Sequence, residues 1–167
     1  ARPTDEAVKQ AKILIIDRDE QVAELVGEHL LAHGFSDVQT AAESTSALST
    51  IESLLPDLVL LDVRMKPVSG LEILDRMRRS DRMEHIPVIV LTNDNKEAVK
   101  VTALNLGAND ILTKPVRSSE LVSRVRNALS EKVYHDQLVA YSMQLESDVL
   151  QDELTGIANR RAFEYEI

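Results

Sequence analysis

The sequence predicts an α/β fold: a doubly wound parallel sheet of five short strands, with helices on both faces and a long C-terminal helix. Three observations carry this. Continuous apolar runs at 13–16 (ILII), 58–61 (LVLL) and 88–91 (VIVL), with the shorter run Ile111-Leu112, are too brief for core helices and have no alternation, so they read as strands buried on both faces. Between them lie stretches whose apolar residues recur three and four apart. The runs lead into Asp17, Asp62, Thr92 and, through Thr113, Lys114. In open parallel sheets function gathers outside the carboxyl ends of the strands, so two carboxylates, a hydroxyl and an ammonium are expected in one crevice.

Each element follows in order. Residues 1–11 read as a polar leader and 12–16 as the first strand. Val22, Leu25, Val26 and Leu30 stand at helical spacing, and Gly34 is placed to end that helix. Residues 38–41 form a short strand, and a helix over 44–54 stops before Pro56. The third strand ends on Asp62, and a loop containing Pro67 leads to Gly70, which opens a helix carrying Leu71, Ile73, Leu74 and Met77. Pro87 precedes the fourth strand. Val99, Ala103 and Leu106 share one face of the next helix, Gly107 closes it, and 110–113 is the fifth strand. Right-handed crossovers then favour a sheet wound in both directions.

After Pro115 the next helix breaker is Gly156, so a helix over 118–153 is expected, about 50 Å long at ~1.5 Å per residue. Leu121, Val122, Val125 and Leu129 can pack on the sheet. Beyond them Tyr134, Leu138, Tyr141 and Leu145 alternate four and three apart, the spacing of a coiled-coil seam, although Asp148 falls on it. That stripe has to find a partner outside the domain.

Composition excludes several functions. The 167 residues carry a net charge of −9, which argues against a nucleic-acid surface. There is no cysteine, so thiolate catalysis and zinc ribbons are ruled out within the chain. No apolar stretch approaches the ~20 residues that span a bilayer, so no membrane partner is expected and the cytoplasm is the simplest compartment. The chain opens on Ala1 rather than Met, which suggests a preceding segment. His29 and His33 stand four apart but lack a third ligand, so ordinary surface roles are expected.

The crevice residues suit phosphoryl chemistry. Transfer to a carboxylate needs charge neutralisation above all. Lys114 offers one positive charge, a divalent cation on Asp17 and Asp62 offers more, and Thr92 can donate its hydroxyl to a phosphoryl oxygen. Taken singly, Asp17 and Asp62 would be helix caps and Lys114 a surface cation. Their order at four strand ends argues otherwise.

The stretches 13–17 (ILIID), 56–62 (PDLVLLD), 86–92 (IPVIVLT) and 107–115 (GANDILTKP) make residues 12–130 resemble the receiver domain of bacterial two-component response regulators. The resemblance implies a flavodoxin-like sheet of order 2-1-3-4-5. It implies that Asp62 accepts the phosphoryl group and that Asp17, Asp62 and the backbone carbonyl of Arg64 hold magnesium. Thr92 and Lys114 would sense the phosphoryl group, and a sensor histidine kinase would be the donor. Three positions depart from the family pattern. Arg18 stands where a second metal-binding acid is usual, which should weaken magnesium, while Asp19 restores an acid one residue later. Ile111 replaces the usual aromatic, and Lys66-Pro67 shifts the loop proline by one residue. These departures bear on the switch rather than on the fold.

Residues 152–163 (DELTGIANRRAF) resemble the opening of a GGDEF domain, the diguanylate cyclase module, through Asp152, Leu154, Thr155, Gly156, Asn159, Arg160, Arg161 and Phe163. This divides the chain into a receiver over 12–130, a helical linker and expected coiled coil over 131–151, and a GGDEF fragment over 152–167. The signature and metal-binding acids of that family are absent, so the chain itself is not expected to make cyclic di-GMP. It would control a cyclase output through a parallel homodimer along the C-terminal helix. Two alternatives stay open. One is a pseudo-receiver that dimerises without phosphorylation, which Arg18 and Ile111 favour. The other is a haloacid-dehalogenase-like phosphatase using Asp17-Arg18-Asp19, which lacks the expected cap insertion and the later acidic pair.

Overall fold

The computed structural model describes the backbone of residues 5–165 and the side chains of residues 5–150. Five parallel strands, β1 (Lys12–Ile16), β2 (Asp37–Ala41), β3 (Leu58–Asp62), β4 (Val88–Thr92) and β5 (Asp110–Thr113), form one sheet in the order β2-β1-β3-β4-β5. Every residue of β3 and β4 is buried, as their unbroken apolar runs require. The helices are α1 (Asp5–Lys9), α2 (Glu20–Ala32), α3 (Ala47–Leu54), α4 (Gly70–Arg78), α5 (Glu97–Asn105) and α6 (Ser118–Tyr165). A 3₁₀ turn over Ser44–Ser46 leads into α3, so the helix expected from residue 44 begins with a tighter turn.

The side chains of the sheet's two faces build separate cores. One face joins Ile13, Ile15, Leu58 and Leu60 to α2 and to Leu121, Val125 and Leu129 of α6. The other joins Leu14, Ile16, Val59 and Leu61 to α3, α4 and α5. Chain reversals use the expected glycines: Gly34 and Gly107 have φ of +96° and +105°, where a side chain would be strained. Arg78, at the end of α4, donates to the carbonyls of Gly107 (3.0 Å), Glu84 (3.1 Å) and Ile86 (2.8 Å) and to Asn109 Oδ1 (3.1 Å). It thereby ties α4 to the turns that precede β4 and β5.

Three expectations are corrected. The leader is not merely polar: α1 buries Val8 in the α2/α6 core, Ala11 is buried after it, and the Lys9 carbonyl accepts from the Ser36 amide at 3.0 Å. Leu25 is not a core residue; it is 53% exposed, while Ala23, Val26, Gly27 and Leu30 form the buried face of α2. The last helix runs through Gly156, since an interior glycine costs only about 1 kcal/mol against alanine and no proline intervenes. The side chains of the 152–163 motif lie outside the described residues. Among the described residues no helix is long and apolar enough to cross a membrane.

Candidate functional site

Strand register brings the four reactive ends together. Ile16 pairs with Leu61, Asp62 with Leu91 and Thr92 with Thr113, so Asp17, Asp62, Thr92 and Lys114 all reach the carboxyl edge of the sheet. β1 and β3 are adjacent while β2 lies on the far side of β1, so the crevice opens where the winding reverses.

Asp17 and Asp62 are buried in this crevice, and the Lys114 ammonium stands between them, 2.7 Å from Asp17 Oδ2 and 3.4 Å from Asp62 Oδ1. The other Asp17 oxygen accepts from the Asp19 amide at 2.9 Å, so both oxygens are occupied. Asp62 Oδ1 also accepts from the Arg64 amide, at 3.3 Å. Two buried carboxylates therefore share one ammonium. Burial pushes the Asp62 carboxyl above its ordinary range and the like charge of Asp17 adds to this; Lys114 and the Arg64 amide pull the other way.

Thr92 is buried, and its hydroxyl accepts from the Asp94 amide at 2.9 Å. Among the described residues its hydroxyl reaches an acceptor only at the Asp94 carbonyl, 3.5 Å away, a long contact that leaves the hydroxyl proton available. The Lys114 amide donates to the Thr92 carbonyl at 2.8 Å, which fixes the two ends against each other before the cis Lys114-Pro115 bond. Ile111 is half-buried and packs on the α3/α4/α5 core.

At the acids is a cavity of about 490 Å³, lined by Asp17, Arg18, Asp62, Arg64, Asn93 and Lys114 together with residues of α2 and Pro115-Val116. The Arg64 guanidinium lies 3.6 Å from the Asp94 carboxylate. Arg18 is exposed. Asp19 does not replace the missing acid: its carboxylate caps α2, accepting from the amides of Gln21 (3.0 Å) and Val22 (3.4 Å). His29 and His33 do not form a metal pair either, since His33 Nδ1 lies 2.8 Å from the His29 carbonyl oxygen.

Sequence reasoning gave Gly70 only a helix-opening role, and the structure shows a larger one. A β-carbon there would sit 2.0 Å from the Asp62 carbonyl oxygen, so only glycine lets α4 start against the strand that presents Asp62. The Gly70 amide donates to the Val63 carbonyl at 2.9 Å, closing the loop after Asp62. Its place eight residues after the acid, at a helix start, was the available signal.

The sheet order and the acid-and-lysine crevice at its switch point place the molecule in the CheY-like class of flavodoxin-like domains. Residues 13–126 match the family model of the response regulator receiver domain, and the chain belongs to that family. It is 37% identical over 118 residues to the regulatory protein VanRc of Enterococcus gallinarum, a match covering 71% of this chain and 49% of that protein. It is likewise 37% identical over 118 residues to the DNA-binding dual master transcriptional regulator RpaA of Synechocystis, covering 71% and 48%. The chain thus spans about half the length of the curated relatives it matches. Among solved structures, the Francisella response regulator 1452 receiver domain superposes with a TM-score of 0.68 at 27% identity, covering 73% of this chain and 98% of that one. The family assignment makes the chain a receiver domain of a two-component response regulator; such domains generally bind magnesium and typically interact with sensor kinases.

The expectation of no nucleic-acid partner is not supported by these relatives. A net charge of −9 describes only the 167 residues present. RpaA is itself named as DNA-binding, and this chain covers less than half of it.

Proposed function

We propose that this receiver accepts a phosphoryl group on Asp62 from a sensor histidine kinase. The observation that carries the reading is the Asp17–Lys114–Asp62 arrangement, with both carboxylates buried and the ammonium within 3.4 Å of each. An Asp62 oxygen attacks phosphorus, the bond from phosphorus to the donor breaks, and the leaving group departs with the electron pair and takes a proton from solvent. Lys114 would then hold a phosphoryl oxygen, and the Thr92 hydroxyl, with its proton free of a short acceptor, would supply a second hydrogen bond.

The donor set fits magnesium, because two buried carboxylates sharing one ammonium leave unbalanced negative charge and present hard oxygen ligands. Asp17, Asp62 and the Arg64 carbonyl would hold the ion, with water completing the shell. Arg18 stands where a second acidic ligand is usual in the family, so weak binding is expected. When bound, the ion supplies positive charge to the transferred phosphoryl group.

The phosphatase reading takes Asp17 as nucleophile but lacks the cap insertion and the later acidic pair, and an adduct on Asp17 that survives Asp62→Asn would support it. The pseudo-receiver reading retains Arg18 and Ile111 in its favour. Intact-mass measurement after incubation with acetyl phosphate and magnesium separates them. The expected result is one phosphoryl adduct, lost in Asp62→Asn; no adduct on the native chain favours the pseudo-receiver.

For the output, the 152–163 pattern supports a diguanylate cyclase controlled through a parallel homodimer, with no enzymatic activity in this chain itself. A DNA-binding output is the second reading, favoured by the name of RpaA. A full-length protein that makes no cyclic di-GMP from GTP overturns the first.

A further inference from the structure

Phosphorylation changes the charge balance of the crevice. Asp17 and Asp62 bring two negative charges against the single positive charge of Lys114, and an aspartyl phosphate adds about one more negative charge. The chain has to find positive charge near Asp62 whenever no metal supplies it. Three cationic side chains wall the cavity: Lys114, Arg64 and Arg18. Lys114 supplies a single charge and already faces both acids. Arg64 faces Asp94 at 3.6 Å. Arg18 makes no hydrogen bond and no ion pair with any described residue. Its nearest acidic neighbours in sequence are engaged elsewhere, Asp17 by Lys114 and Asp19 as the cap of α2. It is an uncommitted guanidinium at the mouth of the pocket, on the loop that follows β1.

We infer that Arg18 is a phosphoryl-binding arm, folding over the cavity to hold the phosphoryl oxygens during transfer to Asp62 and supplying charge that a metal ion would otherwise provide. The inference rests on Asp62 as phosphoacceptor. A guanidinium suits the task, since its planar fork takes two oxygens of a phosphoryl group at once and its charge persists at all working pH values. A stabilising charge of this kind acts on the transition state, in which negative charge spreads over the equatorial oxygens. The native chain therefore carries part of its catalysis without a divalent ion.

The test measures the rate of adduct formation from acetyl phosphate by intact mass, in EDTA and in magnesium, for the native chain, Arg18→Gln and Arg18→Lys. The expected loss in Arg18→Gln is about tenfold in EDTA, the scale of one charged hydrogen bond, and smaller in magnesium. Arg18→Lys should recover part of the rate. Thermal unfolding is expected to stay unchanged, which separates the effect from a fold defect. Equal rates for the native chain and Arg18→Gln in EDTA overturn the role of Arg18 while leaving Asp62 intact. A native chain that forms no adduct under any condition overturns both.

Discussion

Asp62 is worth more to signalling than to stability. Its carboxyl is held above the ordinary 3.8, first by burial and then by Asp17. A raised carboxyl stabilises the folded state where it is protonated, below 3.8, and that contribution is lost as pH rises through the folded value. At neutral pH the ionised group is therefore a cost, only partly offset by Lys114. Asp62→Asn removes that charge and leaves Lys114 its 2.7 Å contact with Asp17. The variant should melt at higher temperature than the native chain at pH 7, and the difference should shrink as pH falls toward 4; melting curves across that range check it. Because only the ionised carboxylate attacks phosphorus, acidification should also slow adduct formation at a higher pH than an ordinary aspartate would require. The four crevice residues were legible in the sequence because Asp17, Asp62 and Thr92 follow apolar runs directly and Lys114 follows one with only Thr113 between. The sharing of Lys114 by two acids was not, since the contact joins Lys114 to a residue 97 positions away.

At the scale of single elements, α4 and α1 show opposite kinds of legibility. The start of α4 was visible from Gly70, but the reason for glycine was steric and depended on the Asp62 carbonyl. Gly70→Ala puts a β-carbon 2.0 Å from that backbone oxygen, so strand or helix has to move. The expected loss is about 1–3 kcal/mol or more, the range for overpacking a tight site, with slower phosphorylation because Asp62 moves too; urea unfolding and adduct rates read the two effects. The helix α1 was invisible because five residues with one buried valine give no periodicity to detect. Its contribution is tertiary. Val8 completes the core around Phe35, Leu30 and Leu129, and Asp5 lies 3.9 Å from Arg126 of α6. Val8→Asp should lower the melting temperature, as a carboxylate buried in that core has no partner.

At the scale of the whole molecule, the doubly wound sheet follows from the length and continuity of the apolar runs, and the register at their ends follows from pairing. The quaternary state is written more faintly. On α6, Tyr134, Leu138, Tyr141 and Leu145 are 41%, 48%, 63% and 46% exposed, and Val149 at 56% extends the stripe. This spacing shifts at its far end from Asp148 to Val149, an irregularity that loosens a regular heptad. A stripe so short should associate weakly. Sedimentation equilibrium is expected to show a concentration-dependent dimer for the chain and a weaker one, or a monomer, for a version ending at Ser130; two monomers at high concentration would remove the coiled coil. The same helix has a mechanical side. Leu129 is its last fully buried residue among the described ones, and Lys132 lies 3.8 Å from Asp57 at the amino edge of the sheet. From Tyr134 to Leu150 it runs about 25 Å with its apolar residues uncovered. That makes it a lever with its fulcrum at the domain boundary. A tilt of about 10° at the fulcrum would carry the far end through about 4 Å, nearly the ~5.4 Å pitch of one helical turn. Displacements too small to notice inside the domain thus arrive at the other end large enough to change which side chains face one another.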